Sequence, residues 1–444
     1  MKIAYLLPGS GGSFYCGNCT RDVVFTKSLK ESGHDILMIP MYLPLNIDKC
    51  EADSPIFYGA VNIYLKQISP LLKRLPVRLK KFFDSEKVLR FVAKLSGSTK
   101  AEGNESMTIS MLKGTEGKQS DDLDTLINWL NEHEKPDVVH LSNALLSGLA
   151  EKLKKELNCV VVCTLQDEDE WVDAMREPYG STTWKLIEWN AEYIDAFIVV
   201  SEYYAQLIST KINVPAEKIH VVHNSIGQES IRKNNHEESY HTIGYMSKIN
   251  SFFGADLLFD AFVELRKEKQ FSTLKLKFTG GYTDDFKKVV RNIKQKMKQY
   301  HLENEVEFFD DLSSEGKNKF LDSISLFCVP SRRKEAFGIQ ILEAYAAEVP
   351  TILPNIGGYS EIINKSNAGL LYEPSEAANL VDTLKKVLTN RSLFLELKKN
   401  CHTSIQSFFN TTEQTNKVLE IYTHSLLNKV DLPHQNIKSN AESR

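Results

Sequence analysis

Short apolar runs of strand length alternate with helical patterns along most of this chain. In the first half, the predicted strands are Lys2–Leu7, Asp35–Met41, Asp137–Leu141, Cys159–Thr164, Ala196–Val200 and Ile219–Val222. Helical stretches such as Thr20–Glu31 and Ala144–Leu157 lie between them. Such alternation is typical of α/β proteins, in which helices cover both faces of a parallel sheet. The first half therefore predicts a doubly wound domain.

The same alternation starts again after a polar, aperiodic stretch at 224–241, which we interpret as an interdomain linker. The second set of predicted strands is Thr242–Met246, Leu274–Thr279, Val306–Phe308, Ser325–Val329, Pro350–Leu353 and Gly369–Tyr372. Helices are expected to begin near Gly254, Asp284, Gly338 and Ser375, and a last one to cover Thr411–Leu427. A chain of 444 residues is too long for one ordinary core. We therefore expect domains at 1–230 and 241–408, a helix at 409–428 and a disordered tail at 429–444.

Composition excludes several classes of protein. A net charge of −4 lacks the basic excess of nucleic-acid-binding proteins, so no nucleic-acid partner is expected. No apolar run approaches the roughly 20 residues that span a bilayer. Seven scattered cysteines indicate a reducing compartment, and the cytoplasm is the expected location. We interpret the motif Cys16-Gly-Asn-Cys19 as small side chains at a tight turn, rather than as a redox or zinc site.

One segment interrupts the alternation. Between Lys66 and Lys94 the chain carries nine Lys or Arg residues against two acids, interleaved with apolar side chains. The simpler interpretation is a solvated insertion, covering about 66–120, whose apolar side packs on the first domain. The alternative is peripheral contact of 66–94 with the anionic inner face of the cell membrane, where each clustered cation contributes about 1 kcal/mol. Two prolines, Pro70 and Pro76, break any long helix here and slightly favour the simpler interpretation.

Two glutamates eight residues apart, Glu335 and Glu343, follow an apolar run at 324–330. Glu335 is predicted to lie in the loop after a buried strand, and Glu343 about one turn inside the next helix. Ligands bind at the carboxyl ends of strands in open α/β sheets, and the N–H groups at a helix start suit a diphosphate. Carboxylates beside such an anion site have a use if they bind hydroxyl groups. In isolation such a pair would more simply be surface acids, but this strand–loop–helix setting favours a binding site.

The flanking segments resemble the family-4 retaining glycosyltransferases of the group 1 type, which have the GT-B fold. Any one of these segments is weak, but their order and spacing together are specific, and they cover nearly the whole chain. They are Pro8-Gly-Ser-Gly-Gly-Ser13, Pro136-Asp-Val-Val-His140, Asp195-Ala-Phe-Ile-Val-Val-Ser201, His223-Asn-Ser-Ile226, Pro354-Asn-Ile-Gly-Gly-Tyr-Ser-Glu-Ile-Ile363 and Gly369-Leu-Leu-Tyr372.

The resemblance implies two Rossmann-like domains facing a cleft, with a carboxy-terminal helix crossing back to the first domain. It also implies transfer of a sugar from a nucleotide diphosphate sugar, linked to UDP or GDP, to a glycan, lipid-linked or small-molecule acceptor. The first domain would bind the acceptor and the second the donor. Neither a cofactor nor a metal ion is expected, and the leaving phosphate would serve as the base.

The resemblance assigns roles to residues of the second domain and of the glycine loop. Glu335 would bind hydroxyls of the donor sugar, and Glu343 those of the ribose. Backbone N–H groups of Phe337, Gly338 and Ile339 would contact the diphosphate. Further donor contacts are expected from the first domain's glycine loop, at Gly11 and Gly12, where the absence of a Cβ lets the backbone approach a ligand closely.

The cations of the site depart from the family pattern. Lys248 stands at the usual arginine position, and Phe253 stands where a lysine is expected. Arg333, just before Glu335, is the expected replacement. The predicted catalytic residues are therefore Glu335, Lys248 and Arg333.

On the acceptor side, Gln166 stands where the family often has histidine, and Asp167 follows it. The run Asp167-Glu-Asp169 also matches the Asp-x-Asp metal motif of another glycosyltransferase fold, but the doubly wound pattern argues against that fold. His140, at the end of its strand, is expected either at the rim of this site or in the core.

Two alternatives remain open from the sequence. A GT-B-like sugar-nucleotide epimerase would share the architecture but would need acid and base groups in the first domain. A non-catalytic nucleotide-sugar-binding or regulatory relative would account for Phe253 and Gln166.

Overall fold

The computed structural model describes residues 1–8, 17–42, 101–227, 230–232, 241–282, 286–374 and 376–430. The basic segment 66–94, the glycine loop with Gly11 and Gly12, and the chain beyond residue 430 lie outside the described residues. Of the expected insertion at about 66–120, the part from residue 101 onward is described.

The first domain is built on a parallel sheet. Within the described part of the chain this sheet has six strands in the order β2-β1-β3-β4-β5-β6. Their bounds are Lys2–Leu7 (β1), Asp35–Pro40 (β2), Val138–Leu141 (β3), Val160–Leu165 (β4), Ala196–Val199 (β5) and Ile219–Val221 (β6). Tyr5 on β1 lies beside Met38 of β2 on one side and His140 of β3 on the other.

The second domain repeats this plan. Its described strands form a parallel six-stranded sheet in the order β12-β11-β10-β7-β8-β9. Their bounds are Thr242–Met246 (β7), Lys275–Thr279 (β8), Val306–Phe308 (β9), Leu326–Cys328 (β10), Thr351–Pro354 (β11) and Gly369–Tyr372 (β12). Strands β7 and β10 are central neighbours, so the loops that follow them meet at the same sheet edge.

Helices connect the strands and cover the sheets. Among the described residues of the first domain, the helices are Gly17–Glu31 (α1), Glu105–Leu112 (α2), Ser120–His133 (α3), Ala150–Leu157 (α4), Glu168–Val172 (α5), Tyr179–Asn190 (α6) and Glu202–Ser209 (α7). The second domain contributes Ala255–Arg266 (α8), Lys287–Gln299 (α9), Ser314–Leu321 (α10), Ile339–Ala346 (α11), Gly358–Ser366 (α12), Ala377–Leu388 (α13) and Arg391–Ser407 (α14). The last helix is Thr411–Val430 (α15).

The predicted strands are all present, with ends that differ by about one residue. The predicted helix Ala144–Leu157 is wrong in its first part, because Ala144–Leu149 forms 3₁₀ turns before α4 begins at Ala150. Asn143 accepts a hydrogen bond from the N–H of Leu145 at the start of these turns. Helix α2 was not predicted; it has buried residues and packs against α6.

The last helix packs on the first domain, as predicted. Val418, Ile421 and Tyr422 of α15 are buried in one cluster with side chains of the first sheet, including Ile3 and Val160. The two chain segments that cross between the domains also touch, because the N–H of Ile226 donates to the carbonyl of Phe409 at 3.0 Å. The structure is thus two α/β domains joined by the linker and by α15.

A buried polar group lies between β1, α1 and α15, and we call it the interior cluster: Tyr5, Arg21, Asp22, His140 and Tyr422. Arg21 is ion-paired with Asp22 and donates to the hydroxyl of Tyr5 at 3.0 Å. Tyr5 in turn donates to Asp22 Oδ1 at 2.8 Å. His140 uses both ring nitrogens, with the Tyr422 hydroxyl at 2.5 Å from Nδ1 and Thr164 Oγ1 at 2.7 Å from Nε2. Burial, and then the charge of Arg21, hold the pKa of His140 well below its usual value.

The described part of the chain contains five cysteines. Cys19 is disulfide-bonded, which corrects the expectation that its motif supplies only small side chains; Cys16 lies outside the described residues. Cys159, Cys163, Cys328 and Cys401 are free and buried.

In the described ranges, every helix is too short or too polar to cross a bilayer.

Candidate active site

A cavity of about 500 Å³ lies between the two domains. It is lined by the loops at the carboxyl ends of strands β4, β7 and β10, so side chains of both domains face it. Among the described residues, seven charged side chains line it; we call six of them, all except Glu102, the cleft cluster: Asp167, Glu168, Glu170, Lys248, Arg333 and Glu335.

The loop from β10 to α11 places Glu335 in this cavity. Gly338 ends the loop with φ +105°, and a Cβ there would lie 2.8 Å from the ring of Tyr359, so glycine is required on both grounds. As the N-cap of α11, Gly338 has no side chain to cap the first N–H groups of the helix. Phe337 and Ile339 line the cavity on either side of it. The loop therefore offers both a carboxylate and a helix start with uncapped N–H groups.

An acidic wall from the first domain faces Glu335. Asp167 adopts φ +55° between β4 and α5, and its Oδ1 accepts from the N–H of Ala336 across the cleft at 3.4 Å. Burial, followed by the charges of Glu170 and Asp169, raises the pKa of Asp167 to about 6. Burial and the charge of Asp167 also raise the pKa of Glu335 well above its usual value. Each of these two carboxyls therefore disfavours the ionisation of the other.

Glu168 is a second acid of this wall; from the sequence, the acids of the run Asp167-Glu-Asp169 are expected in the acceptor cleft or at the surface. It is buried, and its oxygens accept from the backbone N–H groups of Ala144 at 2.9 Å and Gln166 at 2.6 Å, and from the Tyr204 hydroxyl at 2.8 Å. Burial outweighs these hydrogen bonds and raises its pKa to about 8. Gln166 is held in place as well, because its Nε2 donates to the carbonyl of Ser142 at 3.1 Å. Glu168 thus fixes the backbone at two strand ends.

The cations of the cleft come from the second domain. Lys248 lines the cavity after β7, and its carbonyl accepts from the buried hydroxyl of Tyr245 at 2.9 Å. Arg333 reaches across the cleft to Glu170 at 2.7 Å, and its guanidinium lies 5.5 Å from the ring centre of Phe252. The structure therefore brings Glu335, Lys248 and Arg333 together, with Gln166 and Asp167 opposite them.

Phe253 fills the position at which a lysine was expected. Its side chain is buried and lines the cavity, and its N–H donates to Asn250 Oδ1 at 2.8 Å. An apolar ring at this point leaves Lys248 and Arg333 as the cationic lining residues of the described cavity.

Two predicted site residues lie elsewhere in the described structure. Glu343 is not among the residues that line the cavity; it forms an ion pair with Lys317 of α10 at 2.7 Å, with little exposure of either side chain. His140 belongs to the interior cluster, so its expected alternative position in the core is the one observed. In the described ranges, no group of three or more His, Cys, Asp or Glu side chains is arranged to hold a metal ion.

Two family models match adjoining segments that together cover residues 118–406. Residues 227–406 match the family described as glycosyl transferases group 1, and residues 118–229 match glycosyltransferase family 4.

Curated relatives match over shorter segments. A 2-deoxystreptamine N-acetyl-D-glucosaminyltransferase of Niallia circulans is 28% identical over 117 residues, which is 26% of this chain and 30% of that protein. A mannosylfructose-phosphate synthase of Agrobacterium fabrum is 27% identical over 169 residues, which is 38% of this chain and 37% of that protein. The matched segments thus span well under half the length of either relative.

Solved structures match over nearly the full chain. A sucrose-phosphate synthase from Thermosynechococcus elongatus superposes with a TM-score of 0.69 and 16% identity, covering 96% of this chain and 100% of that one. Anabaena Alr3699/HepE in complex with UDP superposes with a TM-score of 0.65 and 15% identity, with the same coverage. At this identity the likeness concerns the fold, which is GT-B. With both family matches, this likeness leads to one conclusion: the chain belongs to the group 1, family-4 glycosyltransferases.

Proposed function

We propose that this protein is a retaining glycosyltransferase that moves a sugar from a nucleotide diphosphate sugar to an acceptor hydroxyl in the cleft between its domains. The observation that carries the proposal is the convergence of Glu335, Lys248, Arg333 and the uncapped start of α11 on one cavity. A diphosphate sugar needs this combination, because it presents an anion and a ring of hydroxyls side by side.

The N–H groups of Phe337, Gly338 and Ile339 bind the diphosphate, aided by the positive end of the α11 dipole. Glu335 binds hydroxyls of the transferred sugar. Burial and the charge of Asp167 raise the pKa of Glu335, which favours its neutral form, and in that form a carboxyl donates as well as accepts a hydrogen bond. A protonated carboxyl also repels the incoming diphosphate less than a charged one does.

Lys248 and Arg333 stabilise the negative charge that gathers on the leaving diphosphate. Electrostatic stabilisation of this kind is usually the largest catalytic contribution. Arg333 exchanges its partner Glu170 for a phosphate oxygen when the donor binds. Phe253 contributes no charge, so the site depends on these two cations.

In the reaction, the bond from the anomeric carbon to the phosphate oxygen breaks, and a bond from that carbon to the acceptor oxygen forms on the same face of the sugar. The acceptor's proton passes to the departing phosphate oxygen. No side chain is then required as a dedicated base, and the anomeric configuration is retained.

Glu343 lies outside the described cavity lining and is ion-paired with Lys317, so its proposed contact with the ribose hydroxyls requires this pair to shift when the donor binds. Gln166 and Asp167 lie opposite the donor side and contact the acceptor.

We propose UDP-linked sugars as the first donors to test, since HepE was solved with UDP and with UDP-glucose. GDP-linked sugars are the second choice. The acceptor is a glycan, a lipid-linked sugar or a small molecule. The basic segment 66–94 supports a peripheral contact with anionic lipid, which co-sedimentation with phosphatidylglycerol vesicles would test.

The central experiment is incubation of the full chain with a panel of UDP-, GDP- and ADP-sugars, followed by measurement of free nucleotide and sugar products. Release of nucleotide with sugar transfer or slow hydrolysis is the expected result. An isomerised nucleotide sugar would instead identify an epimerase. Absence of binding to every member of the panel would overturn the proposal.

A further inference from the structure

Helix α12 contacts the Glu335 loop closely. Gly357 and Gly358 at its start approach the backbone of that loop so tightly that a Cβ on Gly357 would lie 2.7 Å from the carbonyl oxygen of Glu335. The N–H of Gly358 donates to this same carbonyl at 2.8 Å. The loop and α12 therefore form one unit of the second domain.

One turn later, Glu361 of α12 reaches the first domain. Its two carboxylate oxygens accept from the backbone N–H groups of Glu202 at 3.2 Å and Tyr203 at 3.3 Å, the first two residues of α7. The third N–H of this turn, that of Tyr204, is bound by the N-cap Ser201 at 3.0 Å. All three first-turn donors of α7 are thus satisfied, two of them by a carboxylate from the other domain.

Two further contacts join the same surfaces. The hydroxyl of Ser201 donates to the carbonyl of Ala336, next to Glu335, at 2.6 Å. His223, at the end of the first domain, pairs with Glu361 through Nε2, and its ring lies 5.9 Å from that of Phe337. Burial alone would raise the pKa of Glu361, but hydrogen bonds from His223 and from the backbone of α7 lower it.

From these contacts we infer that Glu361 is a positioning residue that holds the Glu335 loop in register with the acceptor wall of the first domain. We call Glu361, His223 and Ser201 the Glu361 clamp. Glu361 lies outside the lining of the described cavity, so it acts through the loop rather than on a substrate. The clamp contacts the loop on one side and α7 on the other, so loss of its charge lets the two walls separate.

The inference rests on the proposed function for its kinetic consequence. Apart from the expected contacts of Gly11 and Gly12, the proposed donor contacts lie within the second domain, so donor binding depends little on the clamp. Transfer does depend on it, because the acceptor oxygen must be held within about 3.5 Å of the anomeric carbon, and misplacement by about 1 Å can cost about a hundredfold in rate.

The test compares wild-type protein with Glu361→Ala and Glu361→Gln. The control is Glu396→Ala, which removes an exposed glutamate from α14 of the same domain. For Glu361→Ala we expect kcat to fall about tenfold or more, KM for the donor to change by less than about threefold, and the radius of gyration in small-angle scattering to increase. Glu361→Gln should fall between wild type and Glu361→Ala, since an amide oxygen accepts a hydrogen bond but carries no charge. The control should match wild type.

Unchanged kcat and unchanged radius of gyration in Glu361→Ala would overturn the inference, and so would a rise in KM at constant kcat. If Glu361→Ala does not fold, the near-isosteric Glu361→Gln is tested in its place by kcat and by the radius of gyration. If wild type transfers no sugar, the proposed function fails, but the scattering comparison still tests the clamp.

Discussion

The interior cluster and the cleft cluster both bury charged side chains in or beside the first domain, but they are built differently. In the interior cluster, Arg21 and Asp22 are neighbours, and Tyr5 forms hydrogen bonds with both of them. His140 and Tyr422 are bonded to each other beside this pair. In the cleft cluster, four carboxyls face two cations, and like charges add to burial in raising the pKa values of Asp167 and Glu335. The first arrangement stabilises the fold. The second holds carboxyls close to one another, which is unfavourable in the free protein. Its cations and carboxyls can bind the phosphates and the hydroxyls of an anionic, hydroxyl-rich ligand.

The largest effect on stability is expected from Arg21→Met. This change leaves Asp22 buried without its ion-pair partner, which typically costs about 3–5 kcal/mol. The free energy of unfolding from denaturant titration measures it. Lys27→Met is the matched control on α1, because its ion pair with Glu31 is exposed and contributes about 0.5 kcal/mol or less. Equal losses of unfolding free energy in the two variants would contradict this difference between a buried and an exposed ion pair.

Glu335→Gln should have the opposite effect: it should lower activity without lowering stability. Loss of the proposed sugar contact is expected to lower kcat by about 100-fold to 1,000-fold. The free energy of unfolding should not fall, since the change removes a carboxyl that lies among other carboxyls. Nucleotide release in the presence of acceptor, measured beside thermal unfolding, checks both parts. Glu396→Gln serves as the exposed control, and a fully active Glu335→Gln protein would remove Glu335 from the mechanism.

Glu168 should make stability depend on pH. Its pKa in the folded state is about 8, against an ordinary value of 4.5, because burial outweighs its hydrogen bonds. The folded protein therefore binds more protons than the unfolded chain between these values. Stability should fall as the pH rises from 4.5 to about 8, by at most about 1.4 kcal/mol per pH unit for this one proton.

Unfolding of wild type and Glu168→Gln at pH 5 to 8.5 tests this dependence, with the exposed Glu188→Gln as control. The glutamine variant should have the shallower slope. Parallel curves for all three proteins would show that Glu168 does not titrate in this range.

The smallest effect is expected from Tyr422→Phe, which removes the hydroxyl bonded to His140 in the interior cluster. A buried hydrogen bond contributes about 1 kcal/mol. Denaturant unfolding measures the loss, with Tyr300→Phe as the exposed control. If the loss equals that of the control, the interior cluster does not depend on α15 for its hydrogen bonding.

Much of the fold follows from local pattern. Strands such as Lys2–Leu7 and Thr242–Met246 were predicted with their observed bounds, because apolar runs flanked by polar turns specify buried parallel strands. The resemblance also predicted that Glu335, Lys248 and Arg333 belong to one site. The structure brings them together because β7 and β10 are neighbours whose ends share one sheet edge. Their roles in catalysis remain predictions.

What the sequence did not predict depends on contacts between distant segments. Glu343 and Lys317 are 26 residues apart, and Ser201 and Ala336 are 135 apart. No periodicity in the chain relates such pairs. The burial of Glu168 was missed for the same reason, although the acidic run after β4 was visible in the sequence.

The packing of α15 has a consequence for synthesis of the protein. Val418, Ile421 and Tyr422 complete a core whose other members lie mostly before residue 223. A ribosome that adds about 5–20 residues per second needs on the order of ten seconds or more to produce the intervening residues. During that time an apolar face of the first sheet is uncovered. The first domain is therefore synthesised first but completes its core last. The uncovered apolar face of the nascent chain must be protected until α15 emerges.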